Sequence, residues 1–451
     1  MMREPAFRLL PRPERAALAG KRVLVLGLGD TGLSAARWVE RHGGLARVAD
    51  TRAAPPRARD FAGDVRLGPF AAPLLDGVQL LCISPGLSLL EPVVREALAR
   101  DVPILGDIEL FAWENRAPVL AVTGTNGKST VTALLGHLLR SAGVDCEVAG
   151  NISPPVLEAA MRRLKPPAAW VLELSSYQLE TTWSLDARAA TVLNVSEDHL
   201  DRYAGLADYG AAKARIFQGD GVQILNRDDA ASAAMALPGR AIVTFGLGAP
   251  PQPWDFGVSG GALCEGPHRL VEREQLPIHG AHNVANALAA CALARAFGLA
   301  RERLAHGLAS FRGLPHRVEL VACRGGVEWY DDSKGTNVGA TIAALRGLGK
   351  RTVLILGGDG KGQDFAPLRE PVEKYAACVL LIGRDAPRIE QALAGVPIER
   401  CSSLEGAVQS AARIARAGEA VLLSPACASF DMFRDYKQRG EVFSAAVRAL
   451  P

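Results

Sequence analysis

Residues 118–139 read PVLAVTGTNGKSTVTALLGHLL, and this stretch determines the fold class. A short apolar run leads into a glycine-containing turn, and the turn opens a helical pattern. Glycines let backbone N–H groups converge on phosphate oxygens, and the N-terminus of the following helix adds partial positive charge. Lys128 is placed to reach terminal phosphates, and the hydroxyl of Ser129 or Thr130 is placed to bind Mg²⁺. The stretch therefore predicts a phosphate-binding loop between a strand and a helix.

The order of strand, glycine-rich turn and helix occurs three times along the chain. The apolar runs are Arg22–Leu26, Val119–Val122 and Thr352–Leu356. Two further apolar strands are expected at 170–176 and 190–196. Strands that alternate with helices in this way predict parallel sheets flanked by helices.

The length of the chain predicts more than one domain, because 451 residues exceed one ordinary core. We assign residues 1–112 to a Rossmann-like domain, 113–313 to a central P-loop ATPase domain with a mostly parallel sheet, and 314–451 to a Rossmann-like third domain. Residues 246–261 are rich in Pro and Gly and predict a surface loop or an irregular hairpin. The predicted fold class is α/β with three domains.

Composition argues against several classes of protein. Apolar residues make up 49%, charged residues 22%, and the net charge is +3, which indicates neither a nucleic-acid binder nor a polybasic membrane protein. The eight cysteines show no CxxC pair or metal-ligand spacing, so we expect reduced, mostly buried thiols. We find no signal-type segment and no apolar run of membrane-spanning length. These features predict a cytoplasmic protein.

Polar side chains follow the apolar strands of the central segment. Glu173 ends the strand WVLEL, at the edge where ligands collect in parallel sheets, and with the phosphate loop upstream it is a candidate metal ligand. NVSEDHLDRY (194–203) contains His199, which spacing alone leaves open between a hydrogen-bonded loop residue and a ligand. Lys213 lies in a helical stretch, and spacing alone favours a solvent-facing side chain.

The N-terminal segment contains a dinucleotide-binding pattern. GLGDTG (27–32) follows a strand and opens a helix, and Asp50 ends the next strand. This pattern alone predicts NAD binding, so an NAD-dependent oxidoreductase is a rival hypothesis. The motif places a diphosphate at a helix N-terminus, however, so a UDP-sugar fits equally well. The turn Ser84–Gly86 could line the same crevice, and the charge of Asp30 requires its side chain to point away from a diphosphate.

Polar and charged residues also mark the turns of the third segment. These turns are LPHR (314–317), DDSKGTN (331–337), GGDGKGQDF (357–365) and SPACASFDMF (424–433). One interpretation is a lid that brings Arg317, Lys334 and Lys361 over the phosphates and an anionic substrate. The alternative is that the lysines form surface ion pairs with neighbouring aspartates, which would contribute little.

Taken in order, GTNGKST, ELSSYQLE, NVSEDHLDRY, AAK, HNVANALAA, LPHR, DDSKGTN, GGDGKGQDF and SPACAS resemble the Mur ligase family over essentially the whole chain. Mur ligases build the peptide stem of bacterial cell-wall precursors. DDSKGTNVGAT and SPACASFDMF are most similar to the members that add D-glutamate to UDP-N-acetylmuramoyl-L-alanine. The DNPR-type signature of the diaminopimelate- or lysine-adding members is absent. The resemblance implies an ATP-dependent ligase that forms an acyl phosphate.

The resemblance also implies roles for individual residues. The implied ATP-binding residues are Gly124, Thr125, Asn126, Gly127, Lys128, Ser129, Thr130, Asn283, Asn286, His316, Arg317, Asp332 and Lys334. The implied UDP-sugar-binding residues are Gly29, Asp30, Thr31, Gly32, Asp50, Thr51, Ser84, Pro85, Gly86 and Asn151. The implied D-glutamate-binding residues are Thr336, Lys361, Ser429, Phe430 and Tyr436, the last standing where relatives are expected to carry phenylalanine. The implied catalytic residues are Lys128, Glu173, His199 and Lys213.

Two Mg²⁺ ions are implied as well, with Ser129, Glu173, His199 and Lys213 as the metal ligands. The family's lysine that matches Lys213 is carbamylated, and a carbamate would supply the anionic oxygen that a hard cation prefers. The implied enzyme is a monomer without nucleic-acid or membrane partners. The alternatives that stay open are L-glutamate as acceptor, an NAD-dependent oxidoreductase and a non-catalytic P-loop regulator. A folylpolyglutamate synthase-like ligase is a further rival, but that relative lacks the N-terminal UDP domain.

Overall fold

A computed structural model describes residues 6–198, 202–278 and 280–450 of the chain. Its strands form three separate sheets, each built from a continuous part of the chain. The α/β class predicted from the alternation of strands and helices is confirmed. Among the described residues, no helix combines the length and the apolar character needed to span a bilayer.

The first sheet contains five parallel strands in the order β3-β2-β1-β4-β5. Its elements are β1 (Arg22–Leu26), α1 (Asp30–Arg41), β2 (Leu45–Asp50), β3 (Asp64–Leu67), β4 (Leu80–Ile83), α2 (Pro92–Ala99), β5 (Ile104–Leu105) and α3 (Asp107–Glu114). Successive strands are added on one side of β1 and then on the other. The turns after β1 and β4 therefore face each other across a switch point, where open α/β sheets bind ligands.

The second sheet has nine strands in the order β14-β13-β12-β11-β10-β9-β6-β8-β7. Its elements are β6 (Val119–Thr123), α4 (Lys128–Ser141), β7 (Cys146–Gly150), α5 (Val156–Arg162), β8 (Ala169–Glu173), α6 (Ser176–Glu180), β9 (Ala189–Val192), α7 (Leu206–Ala214), β10 (Val222–Asn226), α8 (Ala230–Ala233), β11 (Ile242–Phe245), β12 (Phe256–Ser259), β13 (Ala262–Glu265), β14 (His268–Glu272), α9 (Ala281–Phe297) and α10 (Leu304–Ser310). Only β12–β13 and β13–β14 pair antiparallel among the described strands.

Two strands of this sheet end earlier than the apolar pattern predicts. The strand expected at 170–176 ends at Glu173, because Ser175 caps α6 by accepting a hydrogen bond from the Gln178 N–H (3.2 Å). The strand expected at 190–196 ends at Val192. The segments that follow β8 and β9 thus leave the sheet directly beside the phosphate loop, and their first polar residues lie there.

The third sheet has six strands in the order β15-β16-β20-β17-β18-β19, and only the edge strand β15 pairs antiparallel among those described. Its elements are β15 (Glu319–Arg324), β16 (Val327–Asp331), α11 (Val338–Leu348), β17 (Thr352–Gly357), α12 (Arg369–Tyr375), β18 (Ala376–Ile382), α13 (Ala386–Ala392), β19 (Ile398–Arg400), α14 (Leu404–Ile414), β20 (Ala420–Leu423) and α15 (Tyr436–Arg448).

The buried core is continuous between the first two sheets. One apolar cluster includes residues from the first sheet and one face of the central sheet, whereas the other face of the central sheet packs against α4 and α9. The third sheet has its own cluster on each face. All eight cysteines are free and six are buried, which confirms the prediction of mostly buried thiols.

Candidate active site

The phosphate loop connects β6 to α4 in a conformation that depends on glycine. Gly127 has a φ of +85°, and a β-carbon at this position would overlap the side-chain oxygen of Asn286 on α9. The Asn126 N–H donates to the Asn194 side-chain oxygen (2.9 Å), which ties the loop to the segment that follows β9. The loop is therefore held between two neighbouring elements, at the edge of the sheet where its carboxyl ends meet.

The amines of a partly buried lysine and a fully buried lysine converge on one carbonyl of this loop. Lys128 Nζ donates to the carbonyls of Gly124 (2.8 Å) and Thr125 (2.9 Å), and Lys213 Nζ donates to Gly124 (3.0 Å). Burial lowers the pKa of Lys128 against the opposing charge of Glu173. Burial, and then the charge of Lys128, holds the pKa of Lys213 well below its ordinary value. A polyphosphate anion bound here would oppose this effect, because a nearby negative charge favours the protonated forms of both amines.

The solvent-facing position that spacing alone favours for Lys213 is wrong, since the residue is 1% exposed. Its helix, α7, has small residues around the lysine and packs closely against α6 and the loop. The Lys213 amine also lies 4.2 Å from the ring centroid of Tyr209. A lysine in this environment favours the neutral amine, which is the nucleophilic form.

Glu173 offers an oxygen that suits a bound cation. The residue is 1% exposed; Oε1 accepts a hydrogen bond from Asn151 Nδ2 (2.7 Å), and Oε2 is buried with no hydrogen-bond partner among the described residues. A buried, unpartnered carboxylate oxygen is costly unless a ligand satisfies it. The Ser129 hydroxyl stands at the start of α4 and accepts a hydrogen bond from Arg317 Nη2 (2.8 Å). These oxygen donors beside a phosphate loop fit Mg²⁺, which prefers hard oxygen ligands.

His199 lies outside the described residues, so its role at the metal remains a prediction. The neighbouring Asp198 contacts the third domain, because Asn337 Nδ2 donates to Asp198 Oδ2 (3.3 Å) and to Asn126 Oδ1 (3.2 Å). Asn337 also caps α11 by accepting from the Ala340 N–H (2.8 Å). Asn337 is the last residue of the DDSKGTN motif, but the sequence analysis assigned it no role.

A cleft of about 370 Å³ lies between the central and third domains beside the phosphate loop. The predicted ATP-binding residues that line it are Asn126, Gly127, Thr130, Asn283, Asn286, Arg317, Asp332 and Lys334. His316 instead bonds through Nδ1 to Asp331 Oδ2 (2.7 Å), and this contact raises the pKa of His316. The cleft is partly open to solvent and is lined by apolar side chains together with a few polar and charged groups, as ligand sites commonly are.

The charged groups of the third domain that face this cleft have displaced pKa values. Burial raises the pKa of Asp332 to about 7, opposed by the Ser424 hydroxyl, which donates to its Oδ2 (2.7 Å). Burial and then the charge of Arg317 lower the pKa of Lys334 to about 8. The Lys334 amine lies 4.9 Å from the ring centroid of Tyr436. Displaced pKa values of this kind cluster at functional sites.

Lys361 lines a second cleft, of about 300 Å³, which also lies between the central and third domains. The residues 196–198 form its opposite wall. Ser429 is buried nearby in the third domain, whereas Phe430 is exposed. The structure therefore brings Arg317 and Lys334 to the cleft beside the phosphate loop, whereas Lys361 lines the other cleft. The predicted D-glutamate-binding set, which also includes Thr336 and Tyr436, remains a prediction.

The switch point of the first sheet is rigidly built. Asp50 accepts a hydrogen bond from the Leu28 N–H (2.7 Å) and pairs with Arg52 (2.6 Å), and the Arg52 contact lowers the pKa of Asp50 to about 2 despite burial. The Asp30 carboxylate is exposed and pairs with Arg57 (2.6 Å). The other predicted UDP-sugar residues of this domain lie in the turns after β1, β2 and β4 or in the first turn of α1, namely Gly29, Thr31, Gly32, Thr51, Ser84, Pro85 and Gly86.

The close approach of two turns at this switch point explains two glycines. A β-carbon at Gly32 would overlap the carbonyl oxygen of Gly27, and Gly27 itself has a φ of +90°. The Ser84 hydroxyl donates to the same carbonyl (3.4 Å). The N-terminus of α1 and the turn after β4 therefore line a single crevice. Asn151, the remaining predicted UDP-sugar residue, lies outside this crevice and donates a hydrogen bond to Glu173.

Gly127→Ala is expected to weaken ATP binding by at least about tenfold. Left-handed backbone costs an L-residue about 1–2 kcal/mol, and the overlap with Asn286 adds to this. Gly143→Ala is the matched control, because Gly143 has a φ of +82° but a β-carbon added there would meet no atom within 4 Å. Nucleotide affinity measured by calorimetry should fall only for Gly127→Ala. Equal affinity in the two variants would contradict the steric account.

His282 was not singled out from the sequence, although it precedes Asn283 in the HNVAN motif. Its ring lies between Gly280 and Gly347, where α9 meets α11 of the third domain, and its Nδ1 is buried without a hydrogen-bond partner among the described residues. The pKa of His282 is lowered to about 4, mainly by burial. A hydrogen bond with the backbone of Ala343 opposes this shift, and the positive charge of Arg317 adds to it. The domains therefore meet around a neutral imidazole.

We expect the thermal stability of the protein to fall as the pH drops from 6.5 towards 4. The folded state keeps His282 neutral in this range while the unfolded chain takes up a proton, so the loss at pH 5 is about 2 kcal/mol. His282→Gln should reduce the slope of the unfolding temperature against pH. His268 is exposed, so His268→Gln is the control and should leave this slope unchanged. An equal change of the slope in the two variants would refute the expectation.

Comparisons with known proteins agree with this geometry. Family models match residues 21–106 (Mur ligase MurD-like, N-terminal domain), 122–294 (Mur ligase middle domain) and 316–427 (Mur ligase, glutamate ligase domain). The UDP-N-acetylmuramoylalanine--D-glutamate ligase of Nitrosospira multiformis is 54% identical over 96% of both chains. The enzyme of the same name from Thiobacillus denitrificans is 55% identical over 96% of this chain and 97% of its own.

Solved structures with lower sequence identity share the fold. The UDP-N-acetylmuramate-alanine ligase MurC of Thermotoga maritima has a TM-score of 0.62 at 18% identity, covering 95% of this chain and 99% of its own. A pseudomurein peptide ligase type C from Methanothermus fervidus has a TM-score of 0.59 at 19% identity, covering 90% and 96%. With family models matched in all three parts of the sequence and full-length relatives above 50% identity, the chain belongs to the Mur ligase family.

Proposed function

We propose that this protein ligates D-glutamate to UDP-N-acetylmuramoyl-L-alanine with the consumption of ATP, as a step of peptidoglycan precursor synthesis. Full-length relatives that are 50–55% identical carry the name of this activity. The observation that carries the chemistry is the convergence of Lys128 and Lys213 on one loop carbonyl, beside the unpartnered oxygen of Glu173. In this arrangement Lys128 would neutralise charge on a transferred phosphoryl group, and the Glu173 oxygen would bind its metal ion.

The reaction needs positioning and charge neutralisation more than covalent catalysis by the protein. An oxygen of the L-alanine carboxylate attacks the γ-phosphorus of ATP, the bond to the β-phosphate oxygen breaks, and ADP leaves. The amine of D-glutamate then attacks the acyl carbon, loses a proton and expels phosphate from a tetrahedral intermediate. Lys128, in the central domain, stabilises the negative charge of the phosphates. Arg317 and Lys334 add positive charge from the third domain, on the other side of the cleft.

We assign Mg²⁺ binding to Ser129 and Glu173, and a second ion to His199 and Lys213. Bound Mg²⁺ would neutralise charge that develops on the phosphates. The neutral amine that burial favours at Lys213 is the form that combines with CO₂, and the resulting carbamate would be an anionic oxygen ligand. The carbamate would also place a negative charge beside the amine of Lys128, which would favour the protonated form of Lys128.

The substrates are assigned to separate parts of the molecule. We place the UDP-sugar at the switch point of the first sheet and ATP in the cleft beside the phosphate loop. D-Glutamate is assigned to the third-domain residues around Lys361. The proposed domain limits are 1–112, 113–313 and 314–451, and the protein is proposed to act as a cytoplasmic monomer.

Phosphate release tests the proposed function. The purified protein is incubated with ATP, Mg²⁺ and UDP-N-acetylmuramoyl-L-alanine, together with D-glutamate, L-glutamate or no amino acid. Release that requires both the UDP-sugar and D-glutamate is expected. A requirement for L-glutamate would keep the mechanism and change the acceptor. The absence of release with either acceptor, from protein that binds ATP, would contradict the function and favour a non-catalytic P-loop protein.

A further inference from the structure

Arg202 lies between β9 and α7 and connects the central domain to the first domain. Its Nη1 donates to the carbonyl oxygens of Pro85 (3.2 Å) and Leu87 (2.7 Å), in the turn that follows β4. Its Nη2 donates to Glu180 Oε2 (2.6 Å), and the guanidinium carbon lies 4.1 Å from the ring centroid of Tyr177. The guanidinium therefore joins α6 of the central domain to a turn more than a hundred residues away in sequence.

The central-domain side of this contact is rigid. The side chains of Arg202 and Glu180 are 12% and 4% exposed, so their ion pair is largely removed from water. Charge-assisted bonds to a planar guanidinium are strong and directional, and the aromatic face of Tyr177 restricts the remaining freedom. Glu180 and Tyr177 both lie on α6, which begins three residues after Glu173. The guanidinium is thus fixed relative to the phosphate loop and its metal ligand.

The first-domain side of the contact is the turn assigned to the UDP-sugar. Pro85 belongs to the Ser84–Gly86 turn, and Leu87 follows it directly. The Ser84 hydroxyl of the same turn donates to the carbonyl of Gly27, which lies on the other side of the crevice in the loop before α1. Moving this turn by an ångström would therefore shift one wall of the crevice and the substrate it holds relative to the phosphate loop.

On the basis of the ligase function proposed above, we propose that Arg202 is a positioning residue for the UDP-sugar. It fixes the turn 84–87 against α6, so that a substrate held by its nucleotide in the first domain presents its carboxylate at the phosphate loop of the central domain. Arg202 acts through the two backbone carbonyls and contacts no reacting atom. The residues that surround ATP are left untouched by its removal.

The effect of Arg202→Ala should therefore fall on one substrate. We expect the affinity for UDP-N-acetylmuramoyl-L-alanine, measured by calorimetry, to fall by about tenfold or more, which corresponds to about 1.4 kcal/mol. The KM for ATP, from phosphate release, should stay within about threefold of that of the wild-type protein. Arg202→Lys keeps the charge but cannot bond both carbonyls and Glu180 together, so an intermediate affinity is expected.

The matched control is Arg295→Ala. Arg295 likewise bonds a buried carboxylate, Glu265 (3.0 Å), and a backbone carbonyl, that of Leu299 (2.6 Å), but all its partners lie in the central domain. This variant should lose comparable thermal stability and keep its affinity for the UDP-sugar. If Arg202→Ala does not fold, Glu180→Gln weakens the same anchor without changing its size and should lower the UDP-sugar affinity in the same direction.

Two outcomes would overturn the role of Arg202. One is a UDP-sugar affinity within twofold of wild type in the Arg202 variants, and the other is an equal loss of affinity in Arg295→Ala. The binding measurement does not require turnover. Wild-type protein that binds the UDP-sugar but releases no phosphate would therefore refute the ligase function, while the comparison of Arg202 and Arg295 variants would still decide the positioning role.

Discussion

Lys213→Ala is expected to reduce the rate of D-glutamate-dependent phosphate release by about a thousandfold or more. The side chain is 1% exposed, and its amine shares the Gly124 carbonyl with Lys128. Removing it deletes the proposed oxygen ligand of the second metal ion at a site where electrostatic groups contribute on the order of 10²–10³ each. Small anions such as bicarbonate or chloride should restore part of the rate by occupying the vacated space.

Two matched variants separate the carbamate from a simple positive charge. Lys213→Arg keeps a cation of similar length but cannot form the carbamate, so it should be as inactive as Lys213→Ala. Lys374→Ala removes an exposed lysine on α12 and should leave the rate unchanged. Full activity of Lys213→Ala would remove this residue from the metal site. Full activity of Lys213→Arg would show that a cation suffices and would contradict carbamylation.

Glu173→Gln is expected to reduce the rate by about a hundredfold to a thousandfold and to raise the Mg²⁺ concentration needed for half-maximal rate. The change keeps the shape of the side chain and the contact with Asn151, but it removes the charge from the oxygen that has no partner among the described residues. The fold should be unaffected, because the variant buries no new charge. Initial rates over a range of Mg²⁺ concentrations measure both effects.

The control for Glu173→Gln lies on the adjacent strand. Glu147, on β7, pairs with Arg163 at the opposite end of its strand from the phosphate loop, so Glu147→Gln should change neither the rate nor the Mg²⁺ dependence. A Glu173→Gln protein whose rate stays within threefold of wild type at every Mg²⁺ concentration would exclude Glu173 as a metal ligand.

Local sequence signals predicted the strands and turns of the fold well. The run Arg22–Leu26 coincides with β1, because its apolar residues are bounded by a charged residue and a glycine turn. The apolar pattern predicted ends for β8 and β9 that lie beyond those in the structure. After β8 the sequence stays apolar as far as Leu174, but the helix cap formed by Ser175 ends the strand. Strand ends depend on such local competitors, which composition alone does not reveal.

Contacts between distant parts of the chain could not be predicted in the same way. The burial of Lys213 depends on the packing of α7 against the phosphate loop, about ninety residues earlier in the sequence. The Arg202 contact with Pro85 joins residues 117 positions apart. The unfavourable burial of His282 appears only where α9 meets α11. The resemblance to a family supplied a role for Lys213, but geometry alone supplied the contacts of Arg202 and His282.

Oxygen transfer tests the proposed mechanism most directly. UDP-N-acetylmuramoyl-L-alanine labelled with ¹⁸O in both carboxylate oxygens is converted with ATP, Mg²⁺ and D-glutamate, and the released phosphate and the product are analysed by mass spectrometry. Activation through an acyl phosphate predicts one ¹⁸O atom in each released phosphate and one in the new amide carbonyl. Unlabelled phosphate, with turnover of the substrate intact, would contradict phosphoryl transfer to the carboxylate.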